Sequence, residues 1–219
     1  MAGRLERELG KARAEQLKIG WSNSALALDA ARRVRVAERA LAASRGAPYA
    51  EVIDVGALWD TGAPLPHLVS NGDRAILVCR GATVDPSWDG SWSRMVTAAD
   101  SVAELFLVMQ FWGCASVRFG APNDEALNGH ALFGSGLQLY RAHEVRNSAW
   151  LEEHIAVNAV HPSHDEARWR TLNHFVLTFH DETFEALCRG MSVKTVEGTL
   201  ADLLSSAAMD VVSGPPIPG

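Results

Sequence analysis

The distribution of proline and glycine divides this chain of 219 residues at about residue 46. Residues 1–46 contain no proline and are rich in Ala, Leu, Arg and Glu, which are residue types that favour helices. From Tyr49 onward, short apolar runs alternate with segments rich in Gly, Pro and Asn. That alternation is typical of strands joined by turns. The chain is therefore predicted to join a helical N-terminal segment to a domain that contains a β-sheet.

The N-terminal segment predicts a helical arm or hairpin. Ser22, Asn23 and Ser24 are N-cap residue types and precede a run in which apolar residues recur roughly at helical spacing. Gly46 is a suitable stop for this helix. The predicted division is a helical arm over 1–46, an α+β domain over 47–207 and a disordered tail over 208–219.

The larger domain is predicted to be α+β, with a mainly antiparallel, curved sheet and a few flanking helices. Strands are predicted at 75–79, at 102–111 with 115–119 returning as a hairpin, and at 137–145. Asn147 or Ser148 can cap a helix from about Ala149 to Asn158, and 195–206 predicts a turn into a short helix. Trp59, Trp88, Trp92 and Trp112 are expected to be core anchors or to line an aromatic pocket.

The segment HFVLTFHDETFEAL, residues 174–187, predicts a β-hairpin with one strongly apolar face. If Asp181 and Glu182 form a two-residue turn, Phe179 lies opposite Phe184 as a cross-strand aromatic pair. His180 and Asp181 are then turn residues. His174 and Glu185 are the hairpin residues that can line a cavity.

Composition excludes several classes of function. The formal net charge of −6 is spread along the chain, which argues against binding to nucleic acid or to an anionic membrane. The N-terminus has no apolar signal segment, and no later stretch reaches the roughly 18 apolar residues of a spanning helix. A cytoplasmic protein is expected. Its three cysteines are far apart and odd in number, and are predicted to be reduced and buried.

Four segments carry a resemblance to a known group of proteins. They are LWDTGAPLPHLVSNGDRAILVC, FGAPNDEALNGHALFGSGL, HEVRNSAWLEEH and HFVLTFHDETFE. With these segments the chain resembles an uncharacterised family of bacterial hypothetical proteins, over roughly Leu58 to Val196. The resemblance implies that this span is one domain and that the N-terminal helices are an addition. It implies no catalytic residue.

Acid–base chemistry is the broadest function that the polar residues predict. In FGAPNDEALNGH, a loop after a predicted strand could bring together Asp124, Glu125 and His130. Histidine titrates near neutrality, and a carboxylate can orient it. The alternative is a purely structural role, in which Asn123 and Asp124 form a turn or cap a short helix that has Glu125 in its first turn.

Glu144, His174 and Glu185 complete the set of candidate catalytic residues. Glu144 and His143 are neighbours on a predicted strand and so point to opposite faces. If Arg141 or Arg146 pairs with Glu144, that carboxylate belongs to the scaffold; otherwise it is a candidate base. The main prediction is a small-molecule enzyme or ligand-binding protein that uses Glu125, His130, Glu144, His174 and Glu185 in a sheet-lined pocket, with its cofactor unspecified.

Two further classes of function stay open. Eight histidines, including His161 and His164 as H-x-x-H, could contribute to a metal site with non-haem iron or zinc. His174 and His180 would lie roughly 20 Å apart on a regular strand and could not share one ion. The second alternative is a non-catalytic interaction module assembled through the N-terminal helices, for which a homodimer is the simplest expectation.

Overall fold

The computed structural model describes residues 2–20, 24–83 and 95–214. Several residues of the sequence predictions lie outside these ranges. They are the tryptophans Trp88 and Trp92, the predicted cap residues Ser22 and Asn23, and residues 215–219 of the predicted tail. The helices are α1 (Ala2–Ile19), α2 (Ala25–Ser44), a short 3-10 turn (Leu127–Gly129), α3 (Ala149–Asn158), α4 (Glu166–Trp169) and α5 (Leu200–Ser213). The strands are β1 (Tyr49–Val52), β2 (His67–Ser70), β3 (Arg74–Arg80), β4 (Glu104–Trp112), β5 (Ser116–Gly120), β6 (Ala142–Arg146), β7 (Asn173–Thr178), β8 (Thr183–Cys188) and β9 (Gly190–Gly198).

The strands of the described residues form two antiparallel sheets, so the predicted α+β class is confirmed. A five-stranded sheet has the order β1-β6-β7-β8-β5, and a four-stranded sheet has the order β2-β3-β4-β9. Apolar side chains of β3 and β4 form one cluster with apolar side chains of β7 and β8. The two sheets therefore pack face to face around a shared core, in which Phe111 lies 4.7 Å from Phe184 between ring centroids.

Each sheet also has a covered outer face. Helix α5 packs against the four-stranded sheet through Leu200, Ala207 and Val211. The outer face of the five-stranded sheet is covered in part by the segment after β5, whose Leu127, Leu132 and Leu137 contact Val176 and its neighbours. This second outer face is where the candidate site lies.

The N-terminal segment is a pair of helices, α1 and α2, that pack against each other through Leu9, Val34 and Leu41. Ser24 caps α2 by accepting a hydrogen bond from the backbone N–H of Ala27 at 3.3 Å. Gly46 follows the helix with a φ of 64°, a conformation that glycine adopts without steric cost. The predicted helical arm is therefore present, and α2 contacts β1 of the sandwich.

The predicted hairpin between 102–111 and 115–119 is wrong. Strand β4 pairs with β3 and β9, whereas β5 pairs with β8 in the other sheet. The reason is burial. Four consecutive residues of β4, from Phe106 to Met109, are buried, so the strand needs a covered environment on both faces and occupies an interior position of its sheet.

Two other strand predictions need correction. The strand predicted at 137–145 begins only at Ala142, because Tyr140 has a left-handed φ of 55° and Thr178 bonds the preceding loop through its hydroxyl. In the 174–187 hairpin, Thr178 pairs with Thr183, so the connection has four residues rather than two. Phe179 therefore packs on Trp59, with ring centroids 5.0 Å apart, and not on Phe184.

The predicted bounds of α3 agree with the structure, whereas α5 is longer than predicted. Helix α3 runs from Ala149 to Asn158, as predicted, and Ser148 is its N-cap, one of the two residues predicted for that position. Helix α5 continues to Ser213, beyond the predicted start of the tail at 208, because Val211 is buried against the four-stranded sheet. Within the described ranges, no helix is both long and apolar enough to cross a bilayer.

Candidate functional site

Three of the five predicted site residues meet on the outer face of the five-stranded sheet. Glu185 on β8 lies opposite Val176 on β7, and His174 is two residues from Val176, so His174 and Glu185 share one face as diagonal neighbours. His130 reaches the same point from the turn that follows the 3-10 helix. The side chains are nearly buried, with exposed fractions of 5% for His174, 10% for His130 and 14% for Glu185.

His174 connects a carboxylate to a hydroxyl. Its Nε2 lies 2.9 Å from Glu185 Oε2, and its Nδ1 lies 2.8 Å from Ser148 Oγ. A carboxylate only accepts hydrogen bonds, so Nε2 carries the proton, and Nδ1 of the neutral ring accepts one from the Ser148 hydroxyl. The hydrogen-bond direction therefore runs from Ser148 to His174 to Glu185.

His130 approaches the same carboxylate from the other side. The backbone N–H of Leu132 donates to His130 Nδ1 at 3.1 Å, so the ring proton is on Nε2, which lies 3.9 Å from Glu185 Oε1. The Arg118 guanidinium is also 3.9 Å from Glu185 Oε1, and it stacks 4.0 Å from the centroid of the Trp150 ring. Trp150 in turn contacts the His174 ring edge-on at 5.1 Å.

Glu185 is held in its ionised form. Burial alone would raise the pKa of this carboxyl, but the contacts with His130 and His174 outweigh burial and lower the pKa to about 2. At neutral pH the carboxylate therefore carries a full negative charge in a nearly closed environment. That charge lies 2.9 Å from His174 Nε2, where it can stabilise an imidazolium formed during a reaction.

Ser148 stands at the junction of a strand, a turn and a helix. It follows Asn147, which has a left-handed φ of 53°, and its Oγ accepts a hydrogen bond from the backbone N–H of Leu151 at 3.1 Å. The backbone N–H groups of Ala149 and Trp150, in the first turn of α3, make no hydrogen bond to any described residue. Two free donors thus lie next to the hydroxyl, at the positive end of a helix.

The other two predicted site residues are not part of this cluster. Glu144 pairs with Arg146 on its own strand, and Arg146 also binds Glu51 at 2.9 Å. Of the two alternatives for Glu144, a paired scaffold carboxylate or a candidate base, the contact with Arg146 supports the first. Glu125 is exposed to solvent on the loop after β5. The loop does not bring Asp124, Glu125 and His130 together.

Asp124 belongs instead to a second polar group at one end of the sandwich. It accepts hydrogen bonds from the Tyr140 hydroxyl and from His180 Nδ1, the latter at 2.8 Å. The contact with Tyr140, followed by that with His180, lowers the pKa of Asp124, and the bond to Asp124 raises the pKa of His180. Burial and the same carboxylate raise the pKa of Tyr140 to about 12. His180 and His174 therefore serve separate clusters, as their spacing predicts.

Histidines and cysteines give no further cluster of this kind. In the parts of the chain described, no three His, Cys, Asp or Glu side chains are grouped so that they could hold a metal ion. All three cysteines are free and buried, as predicted. Cys114 and Cys188 are neighbours, because the chain segments that carry them run side by side with a bond from Ala115 N–H to the Leu187 carbonyl at 2.8 Å.

Sequence reasoning identified His130, His174 and Glu185 but missed the residues that give them a chemical context. Ser148 was expected only as a helix cap, and Arg118 and Trp150 were not singled out. Arg118 lies opposite Glu185, which lies opposite Val176, but this register follows from the pairing of β5 with β8, for which the sequence gives no local signal. Comparison of the chain with family models, with curated proteins and with solved structures gave no match.

Proposed function

We propose that the protein is a small-molecule hydrolase that transfers acyl groups through Ser148. The observation that carries this proposal is the hydrogen-bond chain from Ser148 through His174 to Glu185, next to the two unpaired N–H groups of α3. A nucleophile, a base, a group that orients the base and donors for an oxyanion are the parts that acyl transfer needs.

The reaction follows from these contacts. Ser148 Oγ attacks the carbonyl carbon of an ester while its proton passes to His174 Nδ1. Glu185 stabilises the imidazolium that forms, as the carboxylate of a serine triad does. The carbonyl oxygen becomes an oxyanion that accepts hydrogen bonds from the Ala149 and Trp150 N–H groups. His174 then gives its proton to the departing alcohol, and water releases the acyl group from Ser148 by the same steps.

Burial restricts the substrate. Ser148 is itself only 7% exposed, but the residues on either side of it, Asn147 and Ala149, are exposed. The hydroxyl therefore lies close to the surface, and the proposed reaction requires an acyl group slender enough to reach it rather than a polymer. Arg118, whose side chain is 53% exposed, lies 3.9 Å from Glu185 and over the Trp150 ring, so it adds a positive charge near the proposed site.

The test is covalent labelling with a fluorophosphonate probe, located by mass spectrometry of the modified peptide. We expect one adduct on Ser148, and hydrolysis of p-nitrophenyl acetate that labelling stops. Ser148→Ala should abolish labelling and reduce turnover by about 10³-fold or more. His174→Ala should keep the fold and lose turnover. Glu185→Gln should reduce turnover by on the order of 10³-fold, because an amide can donate to Nε2 and force the wrong ring tautomer.

Ser24→Ala is the matched control, because Ser24 caps α2 as Ser148 caps α3. Each substitution costs about 1 kcal/mol of stability through loss of a cap, and Ser148→Ala should cost about 1–3 kcal/mol more because it leaves the buried His174 Nδ1 without its donor. Only Ser148→Ala should lose the adduct. Absence of an adduct in the natural protein, or an adduct that persists in Ser148→Ala, would mean that Ser148 is a helix cap and nothing more.

A further inference from the structure

A cavity lies away from Ser148, at the opposite end of α3. Its volume is about 770 Å³, and Asn158, the last residue of α3, is part of its wall. Since α3 has ten residues, the two ends are about 15 Å apart at 1.5 Å per residue. A cavity of this volume is in the range that holds small molecules, and the proposed hydrolase has no use for it.

Arginine dominates the charge of this cavity. Arg74 at the start of β3, Arg168 on α4 and Arg189 between β8 and β9 line it, against two carboxylates, Asp73 and Asp165. Asp165 is engaged as the N-cap of α4, where it accepts from the N–H groups of Ala167 and Arg168. Three arginines against two aspartates leave one positive charge in excess before any histidine is protonated.

None of the three arginines forms an ion pair with a carboxylate in the parts of the chain described, and the Arg74 side chain donates only to the backbone carbonyl of Asp210, at 3.5 Å. Nearby surface arginines such as Arg170, by contrast, do form ion pairs. Arg189 is positioned by Gly113, at which a Cβ would lie 2.8 Å from the Arg189 side chain. The glycine thus allows the arginine to lie flat against the backbone on the cavity wall.

Histidine and tryptophan complete the wall. The N–H of Ser163 donates to His161 Nδ1 at 3.1 Å, so the neutral ring carries its proton on Nε2, as a further donor. His164 Nδ1 is buried and has no hydrogen-bond partner. Trp169 also lines the cavity and is stacked on His154, with ring centroids 6.0 Å apart. Donors on several sides and a fixed aromatic ring suit a ligand with an anionic group and an apolar body.

We propose that this cavity binds a phosphate-bearing small molecule, with Arg168 and Arg189 as the principal anion ligands. Guanidinium groups pair with phosphate through paired, charge-assisted hydrogen bonds. Three arginines and a histidine offer more donors than the two oxygens of a single carboxylate can accept, which favours a phosphate group with its three oxygens. The proposal is independent of Ser148, whose labelling should not depend on occupancy of this cavity.

Cys114 provides a built-in reporter, because it lines the cavity while Cys79 and Cys188 are fully buried. The neighbouring Cys188 thiol lowers the pKa of the Cys114 thiol, although burial opposes this shift. Cys114 should therefore be the cysteine that reacts first with N-ethylmaleimide. A ligand in the cavity should slow that reaction.

The experiment titrates the full chain with inorganic pyrophosphate at constant ionic strength and follows both melting temperature and alkylation of Cys114. We expect saturable stabilisation and slower alkylation. The double variant Arg168→Gln/Arg189→Gln should weaken both effects by more than about 10-fold. The double variant Arg7→Gln/Arg32→Gln removes the same charge from exposed positions on α1 and α2, and should keep both effects.

Three results would overturn the proposal. They are an effect that does not saturate, an effect that is equal in the two double variants, and stabilisation without protection of Cys114. Each would mean that pyrophosphate acts as a general salt or binds elsewhere. If the cavity double variant does not fold, Arg168→Gln alone decides, because Arg168 is exposed on α4 and its loss leaves the core intact.

Discussion

Two nearly buried side chains, His143 and Glu185, make the stability of this protein depend on pH in two separate windows. His143 is fully buried; the N–H of Gln138 donates to its Nε2 at 3.0 Å, and its Nδ1 lies 3.3 Å from the Val176 carbonyl. Burial lowers the pKa of His143 to about 4, whereas the histidine contacts lower the pKa of Glu185 to about 2. The native state thus holds the histidine neutral and the glutamate charged.

Both groups bind protons more readily in the unfolded state, so both should destabilise the protein as pH falls. For His143 the loss runs from about pH 6.5 down to about 4. For Glu185 it runs from about pH 4.5 down to about 2. Across each of these pH ranges the free energy of unfolding should fall by on the order of 3 kcal/mol. Urea unfolding at about pH 7.5, 4.5 and 2 should show that His143→Gln reduces the loss of unfolding free energy in the upper window and that Glu185→Gln reduces it in the lower one.

The two substitutions serve as controls for each other, because each should leave the other window unchanged. If the free energy of unfolding changes equally in the natural protein and in Glu185→Gln between pH 4.5 and 2, the charge state assigned to Glu185 is wrong. That result would also weaken the proposed role of Glu185 in catalysis, since an uncharged carboxyl cannot stabilise an imidazolium on His174.

At the scale of the element, β9 offers a direct test of how tightly its sheet is packed. The strand begins at Gly190 and ends at Gly198. A Cβ at Gly190 would lie 2.5 Å from the ring of Trp112, the residue that pairs with it on β4, whereas a Cβ at Gly198 meets nothing closer than 3.7 Å. Gly190→Ala should therefore cost about 1–3 kcal/mol, through displacement of Trp112.

Gly198→Ala is the matched control at the other end of the same strand and should change stability by less than about 1 kcal/mol. Thermal unfolding of the two variants, together with tryptophan fluorescence, measures both effects. Equal stability of the two variants would show that Trp112 can move without cost and that the sheet is loosely packed at this end.

The elements that could be predicted from the sequence are those specified by local signals. The N-cap Ser148 and the apolar run of β3 are local features, and both were located correctly. The partners of β4 and β5 were not, because their pairing depends on which sheet can bury each strand, and no local residue encodes that choice. The hairpin of β7 and β8 was predicted, but its turn was two residues too short.

The candidate site could also be predicted only where local signals specify it. Alternation along a strand was enough to propose that His174 and Glu185 line one cavity. It could not show that His130 arrives from a loop 44 residues earlier than His174, or that Ser148 is within hydrogen-bond distance of the His174 ring. Such contacts depend on how loops cross the outer face of the sheet. Glu125 and Glu144 lie outside the cluster, because Glu125 is exposed on a loop and Glu144 pairs with Arg146 on its own strand.

At the scale of the whole molecule, burial stabilises some of the described elements much more than others. The core between the two sheets contains fifteen buried residues. By contrast, α1 has one buried residue, Leu9, and its contacts with α2 include exposed ion pairs such as Arg33 with Glu15. Exposed ion pairs contribute little to stability. Helix α1 should therefore open more readily than the sandwich.

Hydrogen exchange followed by mass spectrometry tests this difference and also the role proposed for the helices in assembly. Amides of α1 should exchange at least about 100-fold faster than amides of β3 and β4, because local opening exposes only one buried side chain. Measurement at low and high protein concentration separates two explanations. If a second copy of the chain binds the helices, protection of α1 should rise with concentration while that of β3 stays constant. If α1 is as protected as β3 at every concentration, the helices are part of the core, and neither early opening nor assembly through the arm holds.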